Sequence, residues 1–133
     1  MRRSPATASS PRGFTLIELL IALVIIGILA AIAIPRFADT KGKANVAAVK
    51  SDLSNLAKEQ EAYFSEHATY SPTLAQLHTT LSPGVTLTLV ETSSTGWSAT
   101  AVHPAAVPVT CAVFYGSAAP VAPATSEGVV ACQ

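Results

Sequence analysis

An α+β fold is what the sequence predicts: one long N-terminal helix, part transmembrane and part amphipathic, packed on a small antiparallel β-sheet of three or four strands. Three patterns predict it. A continuous apolar run fills positions 14–34, an apolar stripe of helical period follows it as far as Tyr63, and β-rich runs bounded by turn residues occupy the C-terminal half. The 133 residues leave room for one compact domain plus one long appended element. The boundaries read as a polar leader at 1–13, an apolar helix at 14–35, an amphipathic helix at 36–67 and a head at 68–133.

The apolar run FTLIELLIALVIIGILAAIAI carries one charge, Glu18. Its 21 residues would make a helix about 31 Å long, enough to cross a bilayer core of about 30 Å. Arg2, Arg3 and Arg12 precede it, so the positive-inside bias holds the N-terminus in the cytoplasm and sends the head across the membrane. A secretory signal peptide has a shorter apolar region followed by a small-residue cleavage site. Here the order is inverted, with Gly13 ahead of the apolar run.

Pro35 has no amide proton to give the carbonyl of Ala31, so a kink or break is expected there, with Gly27 a second weak point. Beyond it, Val46, Val49, Leu53, Leu56, Gln60 and Tyr63 follow a 3-4-3-4-3 spacing that puts them on one helix face. Lys50, Asp52, Lys58, Glu59 and Glu66 are expected mainly off that stripe. No proline intervenes before Pro72, so the helix is expected to end near Glu66 or His67. A coiled coil is the alternative cover for the stripe, weakened by its short repeat and by Gln60.

After Tyr70 the chain changes character. Pro72, Pro83 and Gly84 punctuate a loop in which LAQL forms a short helical turn. Strands are predicted at Val85–Val90, Trp97–His103, Val109–Gly116 and, short, Gly128–Gln133, the first two joined by a hairpin loop. Serine and threonine alternation predicts a solvated outer face, and Trp97 is expected in the core. Cys111 and Cys132 are an even pair in an exported chain and read as a disulfide tying the last strand to the third; a reduced, buried pair is the alternative.

The stretch RGFTLIELLIALVIIGILAAIAIPRF, Arg12 to Phe37, closely resembles the N-terminal signature of type IV pilins and pseudopilins. The resemblance is strong over the first 40 or so residues and holds for the remainder only in outline. It implies a pilin fold and cleavage after Gly13 by a membrane-embedded prepilin peptidase, which frees Phe14 as an N-methylated terminus. It implies that Glu18 pairs with the α-amine of a neighbouring subunit and fixes the register of assembly, where the bland alternative is a carboxylate that snorkels to the interface. It also implies melting of the helix between Gly27 and Pro35 in the filament, against an ordinary kink.

The implied partners are copies of the chain itself, the inner membrane, the prepilin peptidase, the type IV pilus assembly machinery and minor pilins. The implied location is a single-pass cytoplasmic-membrane precursor with its N-terminus inside, then an extracellular pilus, or the periplasm for a pseudopilin. Loss of the leader removes three arginines and leaves five bases against eight acids, a net charge of −3.

No cofactor or metal is expected: His67, His78 and His103 have no metal-ligand spacing and are expected at the surface. No nucleophile motif or phosphate loop supports catalysis, so the chain reads as a substrate of processing enzymes and not an enzyme. No base follows Lys58, so the head offers no footprint for nucleic acid. Two further readings stand beside the pilus subunit. A minor pilin or type II secretion pseudopilin is one, although major pseudopilins bind calcium through an aspartate-containing C-terminal loop and the last aspartate here is Asp52. A membrane-anchored binding module that never polymerises is the other.

Overall fold

The computed structural model describes residues 13–106 and 109–133. The leader at 1–12, with Arg2, Arg3 and Arg12, lies outside the described residues. One helix, α1 (Leu16–His67), is followed by four strands, β1 (Thr86–Thr92), β2 (Gly96–Val102), β3 (Thr110–Gly116) and β4 (Ala131–Cys132). Short 3-10 turns at Leu74–Gln76 and Pro104–Ala106 punctuate the connections. The strands form one antiparallel sheet in the order β1-β2-β3-β4, the arrangement that short sequential connections favour. The chain divides into two compact units, one ending at Phe37 and the other spanning Ala38–Gln133.

In the first unit, α1 passes through Gly27 and Pro35 without interruption. Pro35 removes one hydrogen bond there, and the helix is assigned continuously on either side of it. Its large apolar side chains stay exposed, Leu19, Ile21, Leu23, Ile26 and Ile32 among them. This stretch is long and apolar enough to cross a membrane, with a mean hydropathy of 3.0 over its best 18 residues and none of that window buried.

The second unit folds on itself. The helical stripe lays Val49, Leu53, Leu56 and Ala57 against Leu87 of β1, Trp97, Ala99 and Ala101 of β2, and Cys111 and Val113 of β3. Trp97 is fully buried and stacks on Tyr115, ring centroids 5.1 Å apart. Each large apolar side chain taken from water here contributes about 1.5–3 kcal/mol. The helix stops at Ala68, which adopts a left-handed φ of 54° while its amide donates to the Phe64 carbonyl at 2.8 Å.

Two helix side chains moor the loop that follows. Gln60 is fully buried; its Oε1 accepts from the Ser71 amide at 2.8 Å, and its Nε2 donates to the Ser71 carbonyl at 3.1 Å. Asp52 accepts from the amide and hydroxyl of Ser82 at 2.8 and 3.0 Å. Asp52, expected mainly off the apolar stripe, is nonetheless only 2% exposed, because Ser82 arrives from 30 positions along the chain to satisfy it.

The sheet's other face departs from the expected solvated surface. Thr86 and Thr88 are exposed there, but Ser98, Ala112 and Phe114 are buried. The cover is the segment between Gly116 and β4, whose Ala124 and Val121 pack on Ala112 and Phe114. Its near end is tied to the β1–β2 turn, where the Ser117 amide donates to the Thr95 carbonyl at 3.1 Å and Glu91 accepts from the Ala119 amide at 3.1 Å. Gly116 turns at φ 63° against the Thr95 carbonyl, where a Cβ would collide with backbone.

Cys111 and Cys132 are directly opposed on β3 and β4 and joined by the disulfide read from the sequence, Cα–Cα 4.0 Å. Thr110 and Gln133 exchange both backbone bonds beside it, so the cysteines occupy the closely spaced, non-hydrogen-bonded pair of the ladder.

Candidate functional site

The residues singled out by sequence gather at no single centre. Gly13 and Phe14 lie ahead of the helix, both exposed, Phe14 to 84%. Glu18 is in the first turn; Gly27 and Pro35 follow within α1, and the disulfide belongs to the second unit.

Of the residues singled out by sequence, Glu18 is the one that sits in a polar cluster at the N-terminus. Thr15 caps the helix: its Oγ1 accepts from the Glu18 amide at 3.3 Å. Glu18 reaches back, and its Oε2 accepts from the Thr15 amide and the Thr15 hydroxyl, both at 2.8 Å. This is a reciprocal capping box, which satisfies amides that a helix start leaves without partners. A carboxylate in the first turn also suits the positive end of the helix dipole. Reading Glu18 only as a membrane charge missed Thr15, although T-x-x-E ahead of an apolar run is the signal for this box.

The arrangement holds an anionic group one residue from Phe14, at the point where cleavage after Gly13 would create an α-amine. Both bonds from Thr15 use Oε2, so the acceptor sites of Oε1 face a different direction. The box orients the carboxylate within the single chain.

The second unit offers no comparable convergence. Among the described residues no three His, Cys, Asp or Glu side chains are grouped to hold a metal ion. His67 and His78 are exposed, as expected. His103 is not simply a surface residue: its Nδ1 accepts from the Ala105 amide at 3.0 Å, and Nε2 lies 3.2 Å from the Pro83 carbonyl. That pair of bonds requires the proton on Nε2. Gly84, at φ 85°, keeps clear the space that a Cβ would take 2.6 Å from that nitrogen.

Burial raises the pKa of the Tyr70 hydroxyl, as does its 3.0 Å bond to Glu61. Burial likewise raises that of Tyr115, with the negative charges of Glu61 and Glu127 adding to it. These tyrosines stay neutral and structural.

A long apolar N-terminal helix with a capped glutamate in its first turn, whose second half packs on a disulfide-closed antiparallel sheet, is a pilin-type fold. The comparisons with known proteins agree. Residues 9–34 match the family model described as the prokaryotic N-terminal methylation motif. The type IV wide pilus major component PilA4 of Thermus thermophilus is 35% identical over 96 residues, covering 69% of this chain and 73% of the relative. The type IV major pilin protein PilA of Myxococcus xanthus is 50% identical over 60 residues, 45% of this chain and 27% of that longer protein. The type II secretion system core protein G of Klebsiella michiganensis is 38% identical over 64 residues, 48% of this chain and 45% of the relative. The chain belongs to the type IV pilin family.

Proposed function

We propose that this chain is a structural subunit of a type IV pilus. It is inserted in the cytoplasmic membrane through the first half of α1, cut after Gly13, methylated on the new amine of Phe14 and polymerised through that helix. The leader at 1–13, the apolar half at 14–35, the amphipathic half at 36–67 and the head at 68–133 then have separate duties: processing, anchoring and polymerisation, head support, and surface. The observation that carries this is the pairing of an apolar, unburied helix of membrane-crossing length with a carboxylate pre-oriented at its tip.

The carboxylate is expensive in hydrocarbon, about 2.5 kcal/mol or more near the bilayer centre and less at an edge. An α-amine with a reference pKa of about 8 is mostly cationic near neutrality and would offset that cost. In a dry bundle of helices, a neighbour that presents its Phe14 amine to Glu18 is favoured over misaligned ones. Extension of the filament by melting of α1 between Gly27 and Pro35 is consistent with two residues that weaken the helix locally. Prepilin peptidase, the assembly machinery and minor pilins are the partners this function requires.

Similarity to a type II secretion core protein supports a pseudopilin as the second reading. Intact-mass spectrometry on the sheared surface fraction and the membrane fraction separates the two. Mature chain beginning at methylated Phe14, abundant in sheared material, is the expected result. The same species confined to the membrane favours a pseudopilin or minor pilin. A chain still beginning at Met1 in the presence of active peptidase would leave only a membrane-anchored module.

A further inference from the structure

The second half of α1 carries two like-charged pairs at matched spacing, Lys43 with Lys50 and Glu59 with Glu66. Lys43 and Lys50 stand seven residues apart, two turns, and so share one edge of the helix. Glu59 and Glu66 also stand seven apart and share an edge. At 3.6 residues per turn the two edges are about 160° apart around the helix axis. Both border the face turned away from Val49, Leu53 and Leu56, so the sheet covers neither. All four belong to the unit Ala38–Gln133. Lys43, Lys50 and Glu66 are exposed and Glu59 partly so, and among the described residues none of the four side chains forms a hydrogen bond or ion pair.

The axial spacing is commensurate. Lys43 to Glu59 and Lys50 to Glu66 are both 16 residues, about 24 Å along the axis. A second helix lying parallel to the first, in the same orientation and shifted by that distance, meets both glutamates with both lysines at once. The same shift sets Asp39 level with Asn55 and carries Lys58 and Glu61 past the neighbour's helix end at His67. No like charges are brought together.

We propose that these edges form a lateral contact between copies of this chain, Lys43 and Lys50 of one copy facing Glu59 and Glu66 of the next at one shared axial offset. The contact joins the lysine pair of one copy to the glutamate pair of the next, two different patches, so it is heterologous and generates an open helical assembly instead of a closed dimer. Its offset is about four times the roughly 6 Å between Phe14 and Glu18 along the axis, so it links a different pair of subunits from the amine–carboxylate contact. Charge pairs of this kind set register and exclude wrong neighbours more than they add raw affinity. The proposal rests on the pilus-subunit function above and adds a second, independent register.

Charge reversal tests it in the full chain. Lys43→Glu with Lys50→Glu, and separately Glu59→Lys with Glu66→Lys, should each lower sheared filament yield at least about fivefold, since two exposed attractions become repulsions. Mature mass and the two-hydrogen shift on reduction should be unchanged, showing that processing and the head fold survive. The quadruple variant, with both edges swapped, should restore the yield. A zero-length carbodiimide cross-link joining Lys43 to Glu59 in sheared filaments is expected as well. Half-reversed chains that polymerise like the parent would remove this contact and leave the pilus function standing, as would a folded, processed quadruple variant that fails to recover. A parent chain that is processed but never polymerises would remove both. Loss of membrane retention in the lysine variants alone would assign those lysines to lipid headgroups and overturn the contact.

Discussion

Upstream of Phe37, α1 leaves Leu19, Ile21, Leu23 and Ile32 each more than half exposed; downstream, the same helix buries Val49, Leu53 and Leu56 almost completely. The residue types are alike and the backbone is one helix. What differs is where the complementary surface comes from. The second half meets a sheet encoded later in the same chain, so its burial is complete within one molecule. Among the described residues the first half has no such surface in its own unit, and in the proposed function the membrane or other copies supply it. Folding and assembly are therefore separable here, and substitutions should divide cleanly between them.

The sharpest division is Trp97→Ala against Leu23→Ala. The first should cost about 3–5 kcal/mol of head stability, because a fully buried indole leaves a cavity at the centre of the core. The second should leave thermal unfolding of the head in detergent unchanged and act only on insertion or polymerisation. Equal shifts in melting temperature for the two would break the comparison. Next in size is the disulfide: Cys111→Ser with Cys132→Ser should lower stability by about 3 kcal/mol, seen in denaturant titration, for a loop of about 20 residues.

A smaller effect falls on the loop moorings. Gln60→Leu strands the Ser71 amide and carbonyl in a buried place, an effect the added apolar contacts partly offset, and should cost about 2 kcal/mol. Hydrogen exchange should rise locally around Ser71 before it rises in the sheet. Ala68→Gly works in the opposite direction, relieving a left-handed residue with a Cβ, and should stabilise by about 0.5–1 kcal/mol in the same titration.

The mildest test is alkaline. Tyr70 and Tyr115 have raised pKa values in the fold, so the native state holds their protons longer than the unfolded chain. Their contribution is fully present below the unfolded pKa of about 10 and is lost as pH rises through the folded values. Melting temperatures between pH 9 and 12 should fall less steeply for Tyr70→Phe and Tyr115→Phe than for the parent. A steeper fall in the variants would reverse the assigned direction.

Much of this was legible in the sequence because periodicity reports burial directly. The stripe from Val46 to Tyr63 and the alternation in β1 to β3 each placed their core residues, and His67 ended the helix as expected. The hidden parts share a cause. Asp52 and Gln60 are polar side chains whose partners, Ser82 and Ser71, are remote in sequence and carry no pattern that names them. Ser98 looked solvated because alternation cannot reveal what lies over the second face of a sheet. The irregular segment that covers it, with Val121 and Ala124, has no period to find. Thr15 was legible in principle, through T-x-x-E, and was eclipsed by the unusual cost of a charge in an apolar run.

The segment after Gly116 also bears on what could be displayed on this chain. Ala118 and Ala124 are buried, while Ala119, Pro120, Ala122 and the stretch from Thr125 to Val129 are exposed. Its ends are stapled by the Thr95–Ser117 contact on one side and the cysteine ladder on the other. Foreign sequence inserted at Thr125 or Ser126 would enter between fixed posts, whereas the same insertion at Ala124 would unroof Phe114. An engineer would thus meet a surface that can be rewritten in some places and is anchored in others.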